Sequence, residues 1–348
     1  MGFSFIAQRL PRLWYRRQLA FALLPLLPLS WLFSLLAFGR RGLYRLGMLA
    51  SHRLPVPVIV VGNLTVGGSG KTPLVLWLVE CLRQQGWQPG IISRGYGGSL
   101  AGVQCVTPDS PASLVGDEPL LLARRSGVPV FVGRDRVAAG QALLAAHPAC
   151  RVIISDDGLQ HYRLQRAVEI AVFDGRAVGN GWMLPAGPLR ESLRRLSQVT
   201  AVVWNSTPVQ PLSALPVAVP AFAMRLSGQS FYRLGEAAQR CSAADLRGKP
   251  LRAMAGIGDP ARFFAQLKGL GLEFEAHPFS DHHDYSAADL AFAQDGILLM
   301  TEKDAVKCAG LIRTEAWVLP VDAELAASAD GTSLRTIILE KIDGRTFA

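Results

Sequence analysis

From Pro57 onward, short apolar runs alternate with stretches of helical spacing. The runs lie at 58–61, 90–92, 128–132, 152–154, 170–173 and 201–204. Each is continuous and bounded by Gly, Pro or Asp, which is the pattern of a strand buried on both faces of a parallel sheet. After the first run, apolar residues at 74, 75, 78, 79 and 82 form one face of a helix. Strand, loop and helix repeated in this way predict an α/β fold built on a doubly wound parallel sheet. A proline-rich stretch at 208–220 interrupts the pattern. It restarts with strands at 251–255, 273–279, 297–300 and 317–321 and a helix through 263–267. The chain is therefore expected to comprise an N-terminal segment (1–50), a core domain (51–222) and a second, smaller α/β domain (223–348). The cleft between the last two is the expected ligand site.

The N-terminal segment has a different pattern. Residues 19–38 carry no charge and are interrupted only by Pro25, Pro28, Ser30 and Ser34. As a helix the stretch would reach ~30 Å, one hydrocarbon core. Arg9, Arg12, Arg16 and Arg17 precede it, and Arg40, Arg41 and Arg45 follow. A single crossing would leave one basic flank on the wrong side of the membrane. A membrane-associated helical segment lying in the interface satisfies both flanks, and the two prolines favour a break in it. Each arginine near an anionic surface would add ~1 kcal/mol. A signal peptide fits less well, because the run is long and no small-x-small site stands before Gly39.

The formal net charge of +9 suits anionic partners: nucleic acid, anionic lipid or phosphorylated substrates. No zinc finger, RRM signature or basic heptad region is present, so nucleic acid is not expected. The five cysteines are scattered, without a CxxC pair, and fit a reducing compartment better than a metal or disulfide framework.

The strongest chemical signal is Thr65-Val66-Gly67-Gly68-Ser69-Gly70-Lys71-Thr72, set between a predicted strand and a predicted helix. That context identifies a P-loop. Its small residues let backbone N–H groups wrap phosphates at a helix N-terminus. Lys71 is expected on the β- and γ-phosphates of ATP, and the Thr72 hydroxyl on Mg²⁺. Thr65 stands where the usual pattern has glycine, so the loop is expected to start differently. The apolar run ending in Asp156-Asp157 reads as the acidic partner that holds Mg²⁺ directly or through water. Asp117-Glu118 begins a predicted helix, either as an acidic first turn or as a general base. Asp281-His282-His283-Asp284 is the densest His/Asp cluster; adjacent histidines suit a tuned Asp–His pair better than a helical metal site. Thr301-Glu302-Lys303-Asp304 lacks the asparagine of a guanine-reading motif. Arg94, Arg134, Arg136 and Arg190 recur in glycine-rich loops, where arginines clamp phosphates or simply face solvent.

Taken together, Val61-Gly62-Asn63-Leu64-Thr65 leading into the P-loop, Ser-Arg-Gly-Tyr-Gly-Gly from Ser93, Gly-Asp-Glu-Pro from Gly116, Asp-Asp-Gly-Leu-Gln-His from Asp156, Pro-Ala-Gly-Pro-Leu-Arg-Glu from Pro185, Asp-His-His from Asp281 and Thr-Glu-Lys-Asp from Thr301 resemble the tetraacyldisaccharide 4′-kinase family, the lipid A kinases. The motif order covers nearly the whole chain. The resemblance implies transfer of the ATP γ-phosphate to the 4′-hydroxyl of tetraacyldisaccharide 1-phosphate, a lipid A disaccharide precursor. It also implies a membrane-associated enzyme with its active site on the cytoplasmic face of a Gram-negative inner membrane, in contact with inner-membrane lipid; the chain is expected to be a monomer. On the same ground Asp117 would be the base, assisted by Asp281 and His282, with His283 the alternative histidine. Glu118, Asp156 and Asp157 would handle Mg²⁺ and its waters. Gln160, His161, Arg190 and Glu191 would lie around nucleotide and substrate. Two rivals are a partitioning-type ATPase, which usually carries a signature lysine where Val66 stands, and a lipid-binding protein with structural nucleotide.

Overall fold

The computed structural model describes residues 10–16, 18–99, 101–205, 219–327 and 331–344. Arg9, Arg17 and most of the proline-rich stretch lie outside them. The strands in chain order are β1 (Val58–Gly62), β2 (Pro89–Ser93), β3 (Val103–Val106), β4 (Val130–Gly133), β5 (Val152–Asp156), β6 (Val168–Asp174), β7 (Ala201–Asn205), β8 (Ala221–Ser227), β9 (Ser230–Arg233), β10 (Glu236–Ser242), β11 (Leu251–Ala255), β12 (Glu275–Pro278), β13 (Ile297–Thr301), β14 (Ala316–Leu319) and β15 (Asp322–Leu325).

The larger sheet runs β15-β8-β7-β6-β1-β5-β2-β4-β3. All its pairings are parallel except those of the two edge strands, β3 and β15. Every residue of β1, β2, β4, β5 and β7 is buried, as continuous apolar runs require. In β1 the side chains alternate between two cores. Ile59 and Val61 join the helices Lys71–Gln84, Asp117–Ser126 and Leu334–Asp343, whereas Val58 and Val60 join the helix Arg136–Ala146. The sheet is thus covered on both faces.

The smaller sheet runs β10-β9-β14-β13-β11-β12, parallel from β14 to β12, with β9 and β10 antiparallel at the other edge. Its boundary differs from the one expected. Strand β8 pairs with β7, and β15 returns to pair with β8. The helix Leu334–Asp343 then buries Leu334, Ile338 and Ile342 in the core of the larger sheet. We therefore propose a division in which 51–227 and 322–343 form the core domain, and 228–321 the smaller one. Both crossings carry weak signals. β8 alternates buried Phe222 and Met224 with more exposed Ala223 and Arg225, and only Ala323 of β15 is buried.

Ahead of the sheets, a 3₁₀ turn (Phe21–Leu26) leads directly into the α-helix Leu27–Arg45. The expected break at the prolines does not interrupt this helix. Pro25 falls in the 3₁₀ turn and Pro28 in the first α-turn, where a missing N–H costs nothing. The segment Phe21–Arg45 is long and apolar enough to cross a membrane, and only 11% of its most apolar window is buried. One stripe touches the body. Leu23 is buried, Ser30 Oγ donates to the Met183 carbonyl at 2.8 Å, Arg40 donates to the Gln160 carbonyl, and the rings of Tyr44 and Tyr162 meet. Phe21, Trp31, Leu35, Leu36 and Phe38 are left exposed.

If the last helix belongs to the larger core, Ile338→Ala will lower global stability by about 2–5 kcal/mol. Denaturant unfolding followed through that core checks this, and an unchanged midpoint would detach the helix from it.

Candidate active site

The P-loop begins as extended backbone. Thr65 forms a bridge with Leu189, Val66 N–H donates to the Pro188 carbonyl, and Arg190 N–H donates to the Leu64 carbonyl. An extended residue paired in this way needs no glycine, which accounts for threonine at the first position. Gly70 does need to be glycine. Its φ is +86°, and an added Cβ would stand 2.0 Å from Asn205 Nδ2. The helix Lys71–Gln84 starts directly behind it, with Thr72 as its second residue.

Lys71 is buried, its Nζ 3.5 Å from both Asn63 Oδ1 and Asp157 Oδ1. Asp157 also accepts from Arg190 at 3.1 Å. Burial alone would push the Asp157 carboxyl up, but Lys71 and Arg190, with Arg136 behind them, hold it down to about 2. The neighbouring Asp156 behaves oppositely. Register pairs it with Val61, at the mouth of the P-loop. Burial and the Glu118 carboxylate push it up to about 7, against the pull of Lys71. Ser93 donates to its Oδ2 at 3.3 Å, while its Oδ1 is buried without a partner among the described residues. A buried carboxylate oxygen with no donor, crowded by other carboxylates, fits a divalent cation. Magnesium uses one or two carboxylates, phosphate oxygens and several waters rather than a protein cage. The hard oxygen donors of Thr72, Glu118, Asp156 and Asp157 suit that demand. Among the described residues no set of three or more His, Cys, Asp or Glu forms a metal cage.

Across the cleft, the loop after β12 brings in Asp281 and His282. His282 Nδ1 lies 3.2 Å from Asp117 Oδ2, close enough to pair although not aligned as a hydrogen bond. The carboxylate raises the affinity of the imidazole for its proton, against the effect of burial. In return, His282 and Lys303 outweigh burial and hold the Asp117 carboxyl below the usual carboxylate range. His282 sits at φ +57°, in the left-handed region, with its ring packed on the edge of Tyr96. Such strain is found where surrounding structure holds a residue for a purpose. His283 turns elsewhere, packed beside Phe279 and Tyr285 with Nε2 3.4 Å from Asp289. The two neighbours thus have separate surroundings, and His282 is the one at Asp117.

Gln160 donates to the Asn63 carbonyl at 3.1 Å and to Glu191 at 3.4 Å, linking the P-loop strand to the 185–191 loop. Glu191 also accepts from Tyr162. His161 is held mostly by its own loop, and burial and Arg136 push its imidazole down to about 4. Arg136 is buried and donates to the Asp157 carbonyl. Arg94, Tyr96, Gly98 and Arg134 line a cavity of about 240 Å³ beside the pair formed by Asp117 and His282.

Lys303 has a place that sequence reasoning missed. Its Nζ is 3.1 Å from Glu118, 3.2 Å from Asp281, 3.3 Å from His282 Nε2 and 3.9 Å from Asp117. Neighbouring Asp304 is fully buried and accepts from Gly256 N–H, Tyr285 and Thr301, so this motif braces a turn and does not read a base. Asn63 and Asn205 were also missed as parts of the nucleotide loop: they donate to the Gly67 and Ser69 carbonyls. Arg262 of the smaller domain in turn donates to Asn205 Oδ1. A signal for these existed. Asn63, Asn205 and Lys303 all lie at or just past the carboxyl ends of β1, β7 and β13, where open α/β sheets bind ligands.

Residues 22–343 match the family model described as Tetraacyldisaccharide-1-P 4'-kinase. The chain is 56% identical over 347 residues to a tetraacyldisaccharide 4'-kinase of Dechloromonas aromatica (strain RCB), a match covering 99% of this chain and 100% of that one. It is 57% identical over 305 residues to one of Azoarcus sp. (strain BH72), covering 87% and 89%. Its fold is similar to that of LpxK from Aquifex aeolicus, crystallised in complex with ATP, with a TM-score of 0.78, 32% identity and coverage of 91% and 98%. With a P-loop, an acidic strand end and an Asp–His contact converging in one cleft, and with similarity at this level along almost its full length, the chain belongs to the tetraacyldisaccharide-1-P 4'-kinase family.

Proposed function

We infer that this chain is an ATP-dependent kinase that phosphorylates the 4′-hydroxyl of tetraacyldisaccharide 1-phosphate. The observation that carries the reading is the meeting of Asp117 and His282 from different domains, 3.2 Å apart, beside a P-loop. A bare nucleotide switch has no need of a base. Transfer to an alcohol does, because the acceptor proton must leave as the new P–O bond forms and the bond from the γ-phosphorus to the bridging oxygen breaks. Asp117 accepts that proton. His282 holds the carboxylate oriented and, as imidazolium, offsets its charge. Lys303 ties the Asp117–Glu118 turn to the Asp281–His282 loop, so base and orienting group sit at fixed distance. Lys71 exchanges Asp157 for phosphate oxygens, and Arg190 keeps Asp157 ionised. Magnesium, when bound, would neutralise phosphate charge, and Thr72, Glu118, Asp156 and Asp157 are the residues that would hold it or its waters. Because base and histidine belong to separate domains, the site is complete only with the domains together, which excludes the water that would otherwise hydrolyse ATP.

The exposed apolar face of the Phe21–Arg45 segment supports a position against lipid. Contacts with the body at Ser30, Arg40 and Tyr44 keep the helix alongside the protein, which supports lying in the interface rather than crossing to the far side. Dependence on ATP supports an active site on the cytoplasmic face of the inner membrane. Basic loops at Arg94, Arg134 and Arg190 suit a phosphorylated sugar head group.

The direct assay uses full-length protein in detergent with Mg²⁺, γ-labelled ATP and tetraacyldisaccharide 1-phosphate. Label moves to the lipid, and Lys71→Ala abolishes it; ATP hydrolysis with unlabelled lipid would reject the reading. Asp117→Asn is expected to lower kcat by about 10²–10⁴-fold while ATP affinity survives, and loss of both together would remove Asp117 from the role of base. Lys303→Met leaves Glu118 and Asp281 without their shared cation, so it will lose stability and kcat. The double variant with Asp281→Asn will lose less stability than the sum of the singles, with a coupling of about 0.5–3 kcal/mol. Strict additivity in thermal unfolding would refute the pairing.

A further inference from the structure

The P-loop is gripped from behind. Four successive carbonyls each receive a side-chain donor from a different element. Val66 O accepts from the Tyr15 hydroxyl at 2.6 Å, Gly67 O from Asn63 Nδ2 at 3.1 Å, Gly68 O from Arg176 at 2.9 Å and Ser69 O from Asn205 Nδ2 at 3.0 Å. In a trans peptide the carbonyl and the following N–H point in opposite directions. Pinning these carbonyls therefore turns the N–H groups of Gly67, Gly68, Ser69 and Gly70 the other way, as an anion-binding nest requires. A carbonyl free to swing inward would both withdraw a donor and present a negative dipole to phosphate.

Three of the four donors, Tyr15, Arg176 and Asn205, come from outside the motifs that suggest kinase chemistry, and the first two also touch each other. Tyr15 stands just ahead of the apolar segment. Trp14 anchors the same turn, its Nε1 donating to the Pro185 carbonyl and its own carbonyl accepting from Asn180 N–H. Arg176 follows β6 and pairs with Asp174 at 2.5 Å. Its guanidinium lies 4.4 Å from the centre of the Tyr15 ring, within cation–π range. It also donates to the Gly258 carbonyl of the smaller domain at 3.3 Å. Gly258 and Gly68 touch so closely that a Cβ on Gly258 would stand 2.9 Å from Gly68 N. One residue pair thus joins the N-terminal segment, the nucleotide loop and the second domain.

We propose that Tyr15 and Arg176 are positioning residues of the nucleotide loop, and that ATP affinity depends on the N-terminal segment being seated against it. This rests on the reading of residues 65–72 as the ATP site. Tyr15→Phe keeps the ring under Arg176 and removes only the hydrogen bond, so the fold is retained. It is expected to weaken ATP binding about three- to tenfold, while kcat at saturating ATP and KM for the lipid acceptor stay within twofold. Tyr15→Leu, which also loses the stacked ring, weakens binding further. Titration calorimetry with Mg²⁺-ATP on the full chain in detergent reads the affinity, with Lys71→Ala as control. Hydrogen exchange gives the reciprocal signal: ATP slows the amides of residues 10–16 in the wild type and does so less in Tyr15→Phe. If Lys71→Ala loses ATP while Tyr15→Phe binds as tightly as wild type, the positioning role is overturned and the ATP site stands. If Lys71→Ala binds ATP like the wild type, both fall.

Discussion

The site is organised by one electrostatic constraint: carboxylates that must converge cannot do so unpaired. Asp117, Glu118, Asp156, Asp157 and Asp281 meet where two sheets end. Burial works against the charged forms of Asp117, Asp156 and Asp157. Lys71 and Arg190 hold Asp157 ionised, and Lys303 bridges Glu118 and Asp281 with Asp117 just beyond. Asp156 is left crowded and pushed up to about 7. This asymmetry separates roles that the residue types alone do not. One carboxylate is held ionised by protein cations, another keeps a buried oxygen without a donor among the described residues, and a third is paired with a histidine. The largely enclosed cation of Lys303 also makes the two domains interdependent, because removing either side leaves an uncompensated charge.

Geometry follows from the sheets. Both present the carboxyl ends of parallel strands to a common cleft, so the P-loop after β1, Asp156 of β5, Asn205 of β7 and Lys303 after β13 arrive together although far apart in the chain. The approach is close enough that backbone must meet backbone. Gly258 meets the Gly68 backbone and Gly70 the Asn205 side chain, and neither glycine has room for a Cβ. Gly258, just past the carboxyl end of β11, is thus one of the contacts between the two parts, beside those of His282, Lys303 and Arg262.

The N-terminal segment belongs to the same construction. Its helix touches the body along one stripe and turns Phe21, Trp31, Leu35, Leu36 and Phe38 outward. The turn before it reaches the nucleotide loop through Tyr15. An exposed apolar element and the P-loop are therefore joined by a few hydrogen bonds, a short path between the two.

Much of this is legible in the local sequence. Continuous apolar runs marked the buried parallel strands, because burial on both faces leaves no polar alternation. The glycine-rich loop pointed to a phosphate site, because backbone N–H groups can converge only where side chains are small. What the sequence did not carry was set by contact. Strands β3 and β10 are largely exposed edges, and β15 buries little, so their hydrophobic signal is weak. Nothing local says that β15 and the last helix return to the first sheet, since that depends on whose core has room for Ile338 and Ile342. Adjacent His282 and His283 are the same residue type, and only the left-handed backbone at His282 turns one toward Asp117 while the other packs against Phe279. Asn63, Arg176, Asn205 and Lys303 are ordinary polar residues in sequence. Their work arises from the partners that tertiary structure brings within hydrogen-bond reach, because charge and hydrogen bonding act over a few ångströms of space and not along the chain.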